Sequence, residues 1–119
     1  MKINHITELW VIDTEFRDYD SVDNSNKREI HCLCGHEVNS GKIIKVWADE
    51  LYKMSAPPFP TDETSLIIAY AASAEMTCFK ILGWDYPTNV LDLYFEFKNL
   101  LNSKAQFVAR NIQGSKDPD

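Results

Sequence analysis

A proline-rich segment followed by a short apolar run constrains the fold more than any other feature of this sequence. Three of the five prolines lie within residues 55–64 (SAPPFPTDET), and residues 65–70 (SLIIAY) follow directly. Proline lacks a backbone N–H and interrupts helices and sheet ladders, so the first segment is expected to be a crossover loop. The apolar run is typical of a strand that is buried on both faces. The second half of the chain therefore predicts an α/β arrangement.

The first half has the pattern of antiparallel strands. Residues 8–16 (ELWVIDTEF) alternate between two faces and are rich in β-branched and aromatic side chains, which indicates a strand. A polar loop at residues 17–27 precedes a second predicted strand at about residues 29–38. A short link ending in Gly41 leads to a third strand at residues 42–47. We expect a three-stranded meander in which the strand at residues 8–16 is central in the sheet.

Helical signals follow the apolar run. Residues 73–82 predict a helix with Ser73 as the N-cap and Gly83 at its C-terminal end. A fifth short strand is expected at residues 89–93, and helical spacing continues from there to about Leu101. A meander followed by strand, helix, strand and helix is an α/β plan with a mixed sheet, and it resembles the ribonuclease H-like architecture.

Length and charge limit the function classes. The 119 residues, with 45% apolar content, are enough for one domain, and the first ten residues lack the apolar run of a signal peptide. We therefore expect a cytoplasmic protein without a membrane segment, whose cysteines Cys32, Cys34 and Cys78 are reduced. A net charge of −6 argues against holding nucleic acid by phosphate neutralisation alone. Carboxylates grouped around divalent cations can nevertheless serve a polyanionic substrate.

The Asp13-x-Glu15 pair is the most informative candidate site. Two residues apart on a strand, these side chains share a face, with Cα atoms roughly 6.5–7 Å apart. Two carboxylates about 6 Å apart repel by roughly 3 kcal/mol at an effective dielectric constant near 20, so either one is protonated or a cation lies between them. In the alternative interpretation, Glu15 points to solvent and Asp13 caps a backbone group. Further carboxylates follow at Glu75, in the first turn of the predicted helix, and at Asp92, near the fifth strand.

The segment WVIDTEF resembles the first motif of the DEDD-type 3′–5′ exonucleases. Glu75 occupies the position of the family's second-motif Asp, Ala71 stands where an Asn is usual, and VLDL around Asp92 matches a later strand. The stretch PPFPTDETSLIIAYAASAEMTCFKILGWDYPTNVLDLYFEF is similar to the exonuclease-like domain that precedes the polymerase in some family A (DNA polymerase I-like) proteins. The resemblance covers about residues 9–102.

This resemblance implies a function and a set of site residues. It implies two-metal phosphodiester hydrolysis at the 3′ end of single-stranded DNA, with Mg²⁺ or Mn²⁺ as the cofactor. Asp13 and Glu15 would hold the ions, and Glu75 would bind one of them directly or through water. These three are the candidate catalytic and metal-binding residues, and Asp92 is an additional candidate metal ligand.

The family's third motif has no counterpart after Asn102. That motif is a Tyr or His four to five residues before a final Asp on a C-terminal helix. Residues 1–102 are therefore predicted to be a partial ribonuclease H-like exonuclease domain, and residues 103–119 a C-terminal tail that is unrelated or disordered. The isolated chain is expected to be inactive. The alternatives are a non-catalytic remnant or protein-interaction module that keeps the fold, and a site completed in trans by a C-terminal or polymerase segment.

Two other groups of residues are interpreted as structural. The sequence HCLCGH places two cysteines and a histidine on one strand face, but no fourth ligand has suitable spacing, so packing as small hydrophobes is favoured over zinc binding. The chain's three tryptophans are interpreted as core residues and not as platforms for base stacking: Trp10, Trp47 and Trp84.

Overall fold

A computed structural model describes residues 5–19 and 27–114 of the chain. These residues form a five-stranded mixed sheet and three helices, so the protein is α/β, as the sequence predicts. Residues 20–26 of the predicted loop and residues 115–119 of the predicted tail lie outside the described part. The elements are β1 (Glu8–Tyr19), β2 (Lys27–Glu37), β3 (Ile43–Trp47), α1 (Ala48–Leu51), β4 (Ser65–Ala69), α2 (Ala72–Leu82), β5 (Val90–Asp92) and α3 (Leu93–Gly114).

The strand order is β3-β2-β1-β4-β5, which places β1 at the centre of the sheet. The pairs β1–β2 and β2–β3 are antiparallel, and β4 and β5 continue the sheet in parallel with β1. This confirms the predicted meander and the predicted central strand. Residues 52–64, which include the proline-rich segment, contain no helix or strand, as expected for a crossover.

The hairpin between β2 and β3 is built around a buried carboxylate. Glu37 accepts backbone hydrogen bonds from Leu9 at 2.9 Å, Asn39 at 3.2 Å and Ser40 at 2.7 Å. Hydrogen bonding, first of all from Leu9, lowers the pKa of this carboxyl to about 2. Gly41 closes the turn with φ at 74°, a conformation that glycine adopts without steric cost. A single acidic side chain therefore fixes the hairpin against β1.

The two faces of the sheet differ in what covers them. Residues Trp10, Ile12 and Thr14 of β1 are buried on the side where α2 packs, which we call the helix-covered face. The residues between them in β1 are exposed on the other side, the open face. Through β2, the strand register also places Ile43, Lys45 and Trp47 of β3 on the open face. The open face includes Val11, Asp13, Glu15, Ile43, Lys45 and Trp47.

An aromatic cluster fills the helix-covered side. Ring centroids lie 5.4 Å apart for Trp10 and Phe59, 6.4 Å for Phe59 and Phe79, and 5.1 Å for Phe79 and Trp84. The prediction that Trp10 and Trp84 belong to the core is confirmed, since they are 2% and 4% exposed. For Trp47 the prediction is wrong, because this residue ends an edge strand on the open face and is 57% exposed.

The cap of α2 differs from the prediction. The N-cap residue is Ala71 and not Ser73, and Ala71 has left-handed backbone angles, φ 57° and ψ 63°. Asp92 of β5 supplies the capping oxygens, because its Oδ1 accepts the N–H of Ala71 at 3.1 Å and its Oδ2 that of Ala72 at 3.0 Å. At the other end, Gly83 has φ 75° and ends the helix as predicted.

Replacing Ala71 by glycine is expected to stabilise the fold by about 1 kcal/mol, because a left-handed conformation costs an L-residue with a Cβ about that much. Urea unfolding would measure the change. Ala74→Gly is a matched control inside α2, where the same replacement should destabilise by about 0.5–1 kcal/mol. Destabilisation by both substitutions would contradict the prediction.

The last helix is longer than predicted. Its periodicity indicates an end near Leu101, yet α3 continues to Gly114, so most of the predicted tail is helical. Strong helix formers in this stretch, including Lys104 and Gln106, account for the continuation. Every α3 side chain that the structure describes is exposed. Among the described residues, no helix is both long and apolar enough to cross a membrane.

Candidate functional site

The candidate site lies where β1 extends past β4. The parallel register between these strands ends at Val11 and Ile68, after which the chain leaves β4 and enters α2. The start of α2 therefore lies beside the next residues of β1. The Cys78 thiol, one turn further along α2, donates to the Thr14 hydroxyl at 3.6 Å and is buried with it. This contact brings the D-x-E segment of β1 next to the helix turn that carries Glu75.

Asp13 and Glu15 share the open face, as the alternation predicts. Both side chains are exposed, and their register partners on β2 are Cys34 and Cys32. The register shifts directly after Glu15, so the pair occupies the last regular stretch of β1 before a bulge. The two carboxylates are thus accessible to solvent and to a cation.

Glu75 lies inside the protein. The residue is 3% exposed, and its Oε2 has no hydrogen-bond partner. Burial, together with the negative charge of Asp13, raises the pKa of Glu75 to about 7. Hydrogen bonding from the backbone N–H and hydroxyl of Thr14 and the positive charge of Arg28 oppose this rise. Near neutral pH, a large fraction of Glu75 is therefore protonated, and its carboxyl lies within electrostatic range of Asp13.

Arg28 ties the first turn of α2 to the strands. Its Nε donates to Asp18 Oδ1 at 2.8 Å, and its Nη1 donates to the carbonyl of Ala74 at 3.0 Å. The guanidinium also lies 3.7 Å from the centroid of the Phe16 ring. Because Ala74 precedes Glu75, these contacts fix the position of the buried carboxyl. Sequence reasoning missed Arg28, since an arginine beside a polar loop carries no periodic signal.

Asp92 has a structural role. Besides the N–H groups of Ala71 and Ala72, its Oδ1 accepts the N–H of Tyr94 at 2.9 Å. Its two oxygens therefore accept three backbone hydrogen bonds and join β5, α2 and α3. The structure brings Glu75 next to Thr14, the neighbour of Asp13 in β1, and uses Asp92 as a cap.

Few potential metal ligands lie together in the described part of the chain. In the described parts of the chain, no group of three or more His, Cys, Asp or Glu residues is placed to hold a metal ion. Mg²⁺ is often bound through only one or two carboxylates, with water as the remaining ligands. Asp13 lies within electrostatic range of Glu75, whose Oε2 has no hydrogen-bond partner, so these two carboxylates are the candidates for such a pair. The cysteines Cys32, Cys34 and Cys78 are free, and burial raises the pKa of the Cys34 thiol.

Comparison with protein-family models, with curated proteins and with solved structures finds no match to this chain. The chemistry of the site therefore rests on its residues and their geometry.

Proposed function

We propose that this chain is a partial 3′–5′ exonuclease domain of the ribonuclease H-like, DEDD type, which binds a divalent cation weakly and hydrolyses DNA poorly on its own. The observation that carries the proposal is that the buried Glu75 accepts hydrogen bonds from Thr14, which lies between Asp13 and Glu15 in the central strand. The resemblance of WVIDTEF to the first exonuclease motif implies metal binding by Asp13 and Glu15, and Glu75 occupies the position of the second-motif Asp.

The sheet supports this proposal. An antiparallel meander followed by two strands parallel to β1, in the order β3-β2-β1-β4-β5, is the arrangement expected of a ribonuclease H-like domain. In the DEDD family the first-motif carboxylates lie on the first strand, and the second-motif carboxylate follows the fourth strand. Asp13, Glu15 and Glu75 have these positions in the present fold.

The residues define how the site would act. Mg²⁺ or Mn²⁺, when bound, would supply Lewis-acid activation of a phosphodiester. Asp13 and Glu15 would hold the cation from the solvent side, and Glu75 would contribute from the interior after losing its proton. Single-stranded DNA with a free 3′ end is the proposed substrate. Without a third motif, activity is expected to be reduced by about 10²–10⁴-fold, the typical cost of losing a positioned general base, unless a C-terminal or polymerase segment completes the site in trans.

Millimolar Mn²⁺ is expected to stabilise the protein through this site. A ligand that binds only the folded state at ten times its Kd adds about 1.4 kcal/mol to the free energy of unfolding. Thermal unfolding with and without 10 mM MnCl₂ would measure it, and the effect should be larger at pH 8 than at pH 6, because Glu75 must ionise. Asp13→Asn and Glu75→Gln should abolish the stabilisation, whereas Glu63→Gln, which alters an exposed carboxylate of the crossover loop, should keep it.

A 5′-labelled single-stranded oligonucleotide provides the second readout of this experiment. Slow, manganese-dependent shortening from the 3′ end that Asp13→Asn abolishes would support the proposal. Equal stabilisation by Mn²⁺ in all variants would contradict the cation site. Rapid degradation by the wild-type chain would contradict the partial nature of the domain.

A second candidate function, a protein-interaction module that keeps the fold without catalysis, is favoured by one observation. Helix α3 exposes large apolar side chains, with Phe95 62% and Leu100 58% exposed. Monomeric proteins seldom expose large contiguous apolar patches, which often mark interaction sites. Loss of the Mn²⁺ effect together with retention of the fold would favour this function.

A further inference from the structure

Helix α3 carries an apolar stripe that no described part of its own chain covers. Leu93, Phe97, Leu100 and Leu101 recur at helical spacing and are 40%, 50%, 58% and 49% exposed. The helix has 22 residues and is therefore about 33 Å long. Most of the stability of helices in proteins comes from packing of such a face against a neighbour. A contact outside the described chain would supply that neighbour.

The open face of the sheet also exposes large apolar side chains. Val11, Ile43 and Trp47 are 39%, 74% and 57% exposed there, while α2 packs on the opposite side of the sheet. Lys45 lies with its ammonium 4.6 Å from the centroid of the Trp47 ring and leaves most of that ring in solvent. A sheet face that carries large apolar residues is ordinarily covered by a helix or a second sheet.

Among the described residues, α3 does not cover this face within one chain. The start of α3 is fixed at the end of β5, where Asp92 accepts the N–H of Tyr94 and the rings of Tyr94 and Tyr70 meet edge to face at 5.6 Å. From there, every described side chain of α3 remains exposed. The described part of the chain thus presents an exposed helix and an exposed sheet face that do not meet.

We propose that two copies of this chain form a two-fold dimer in which α3 of each copy lies across the open face of the other. Each copy supplies one helix and one sheet face, so the two contacts are identical and the assembly closes. The inference does not rest on cation binding, but the two proposals compete, because α3 of the second copy would lie over Asp13 and Glu15 on the open face.

The apolar area and the charges of α3 and the open face suit a second copy of the chain as the partner. Seven apolar side chains with 39–74% exposure hold on the order of 600 Å² of accessible surface in each contact, and two contacts reach the roughly 1,200 Å² at which stable interfaces begin. Lys104 follows Leu100 by one helical turn on the apolar stripe, and the open face carries the carboxylates Asp13 and Glu15. The open face also carries Lys45, and Glu96 lies one turn before Leu100, so each surface holds charges of both signs for pairing across the contact.

Sedimentation equilibrium of the full chain at 5–200 µM would test the proposal, with a species of twice the 13.7 kDa chain mass as the expected result. Ile43→Lys on the sheet face and Phe97→Glu on the helix should each weaken dimerisation at least tenfold. Thr88→Glu, an exposed position in the loop before β5, is the matched control and should leave the dimer intact. Circular dichroism would verify that each variant is folded, which is expected because the replaced side chains are exposed.

Carbodiimide cross-linking of a mixture of ¹⁴N- and ¹⁵N-labelled protein would show how the two copies are arranged in the dimer. An amide between Lys104 of one copy and Asp13 or Glu15 of the other, found in mixed-isotope peptides, is the expected product. A monomer at 200 µM or a polydisperse aggregate would overturn the proposal. So would a dimer that Phe97→Glu dissociates and Ile43→Lys does not affect, since that result indicates helix-to-helix pairing.

Discussion

Glu75→Gln is expected to raise the free energy of unfolding by about 2–3 kcal/mol at pH 8 and to leave it almost unchanged at pH 4. The pKa of Glu75 is about 7 in the folded protein, against a reference value of 4.5. The folded state therefore holds the proton more tightly than the unfolded state, and the wild type loses stability as the pH rises from 4.5 to 7. Glutamine has a similar shape and does not ionise, so the variant avoids this loss.

Urea unfolding of the two proteins at pH 4, 6 and 8 would measure this difference. Glu63→Gln, which removes an exposed carboxylate, is the control and should show no such pH dependence. A difference between wild type and Glu75→Gln that is constant across the three pH values would indicate changed packing and would contradict the assignment of a buried, ionisable Glu75.

Phe79→Ala is expected to destabilise the fold by about 3–5 kcal/mol, the typical cost of truncating a buried phenylalanine. Phe79 is fully buried and contacts the rings of Phe59 and Trp84, so it joins the crossover loop and the segment after α2 to the sheet. Chemical unfolding followed by tryptophan fluorescence would measure the loss. Lys80→Ala changes the neighbouring exposed residue and should shift stability by less than about 0.5 kcal/mol. A loss below 1 kcal/mol for Phe79→Ala would place this ring outside the core.

Local periodicity explains which parts of the fold could be predicted. The alternation along β1 and the apolar run of β4 arise from burial of one or both strand faces, so they appear in the sequence as periods or runs. The central position of β1 and the shared face of Asp13 and Glu15 follow from these patterns. The length of α3 could not be read in the same way, because no described neighbour imposes a period on its later residues.

Polar contacts between distant residues explain what could not be predicted. Arg28 reaches Ala74 and Glu37 reaches Leu9 across long separations in sequence, and neither pairing leaves a spacing signal. Ser73 has the chemistry of an N-cap, yet α2 takes its cap from Asp92. The candidate site was therefore predictable as a set of carboxylates. The burial of Glu75, which determines its protonation, was not predictable.

The capping of α2 by Asp92 has a consequence for the order of events during synthesis on the ribosome. Ala71 and Ala72 begin α2 some 20 residues before the carboxylate that accepts their N–H groups is made. While only the first 91 residues have emerged, the α2 start lacks this cap and β4 lacks its neighbour β5. Domains generally fold as units during synthesis. The turn that carries Glu75 is therefore capped only after Asp92 has emerged and β5 has paired with β4.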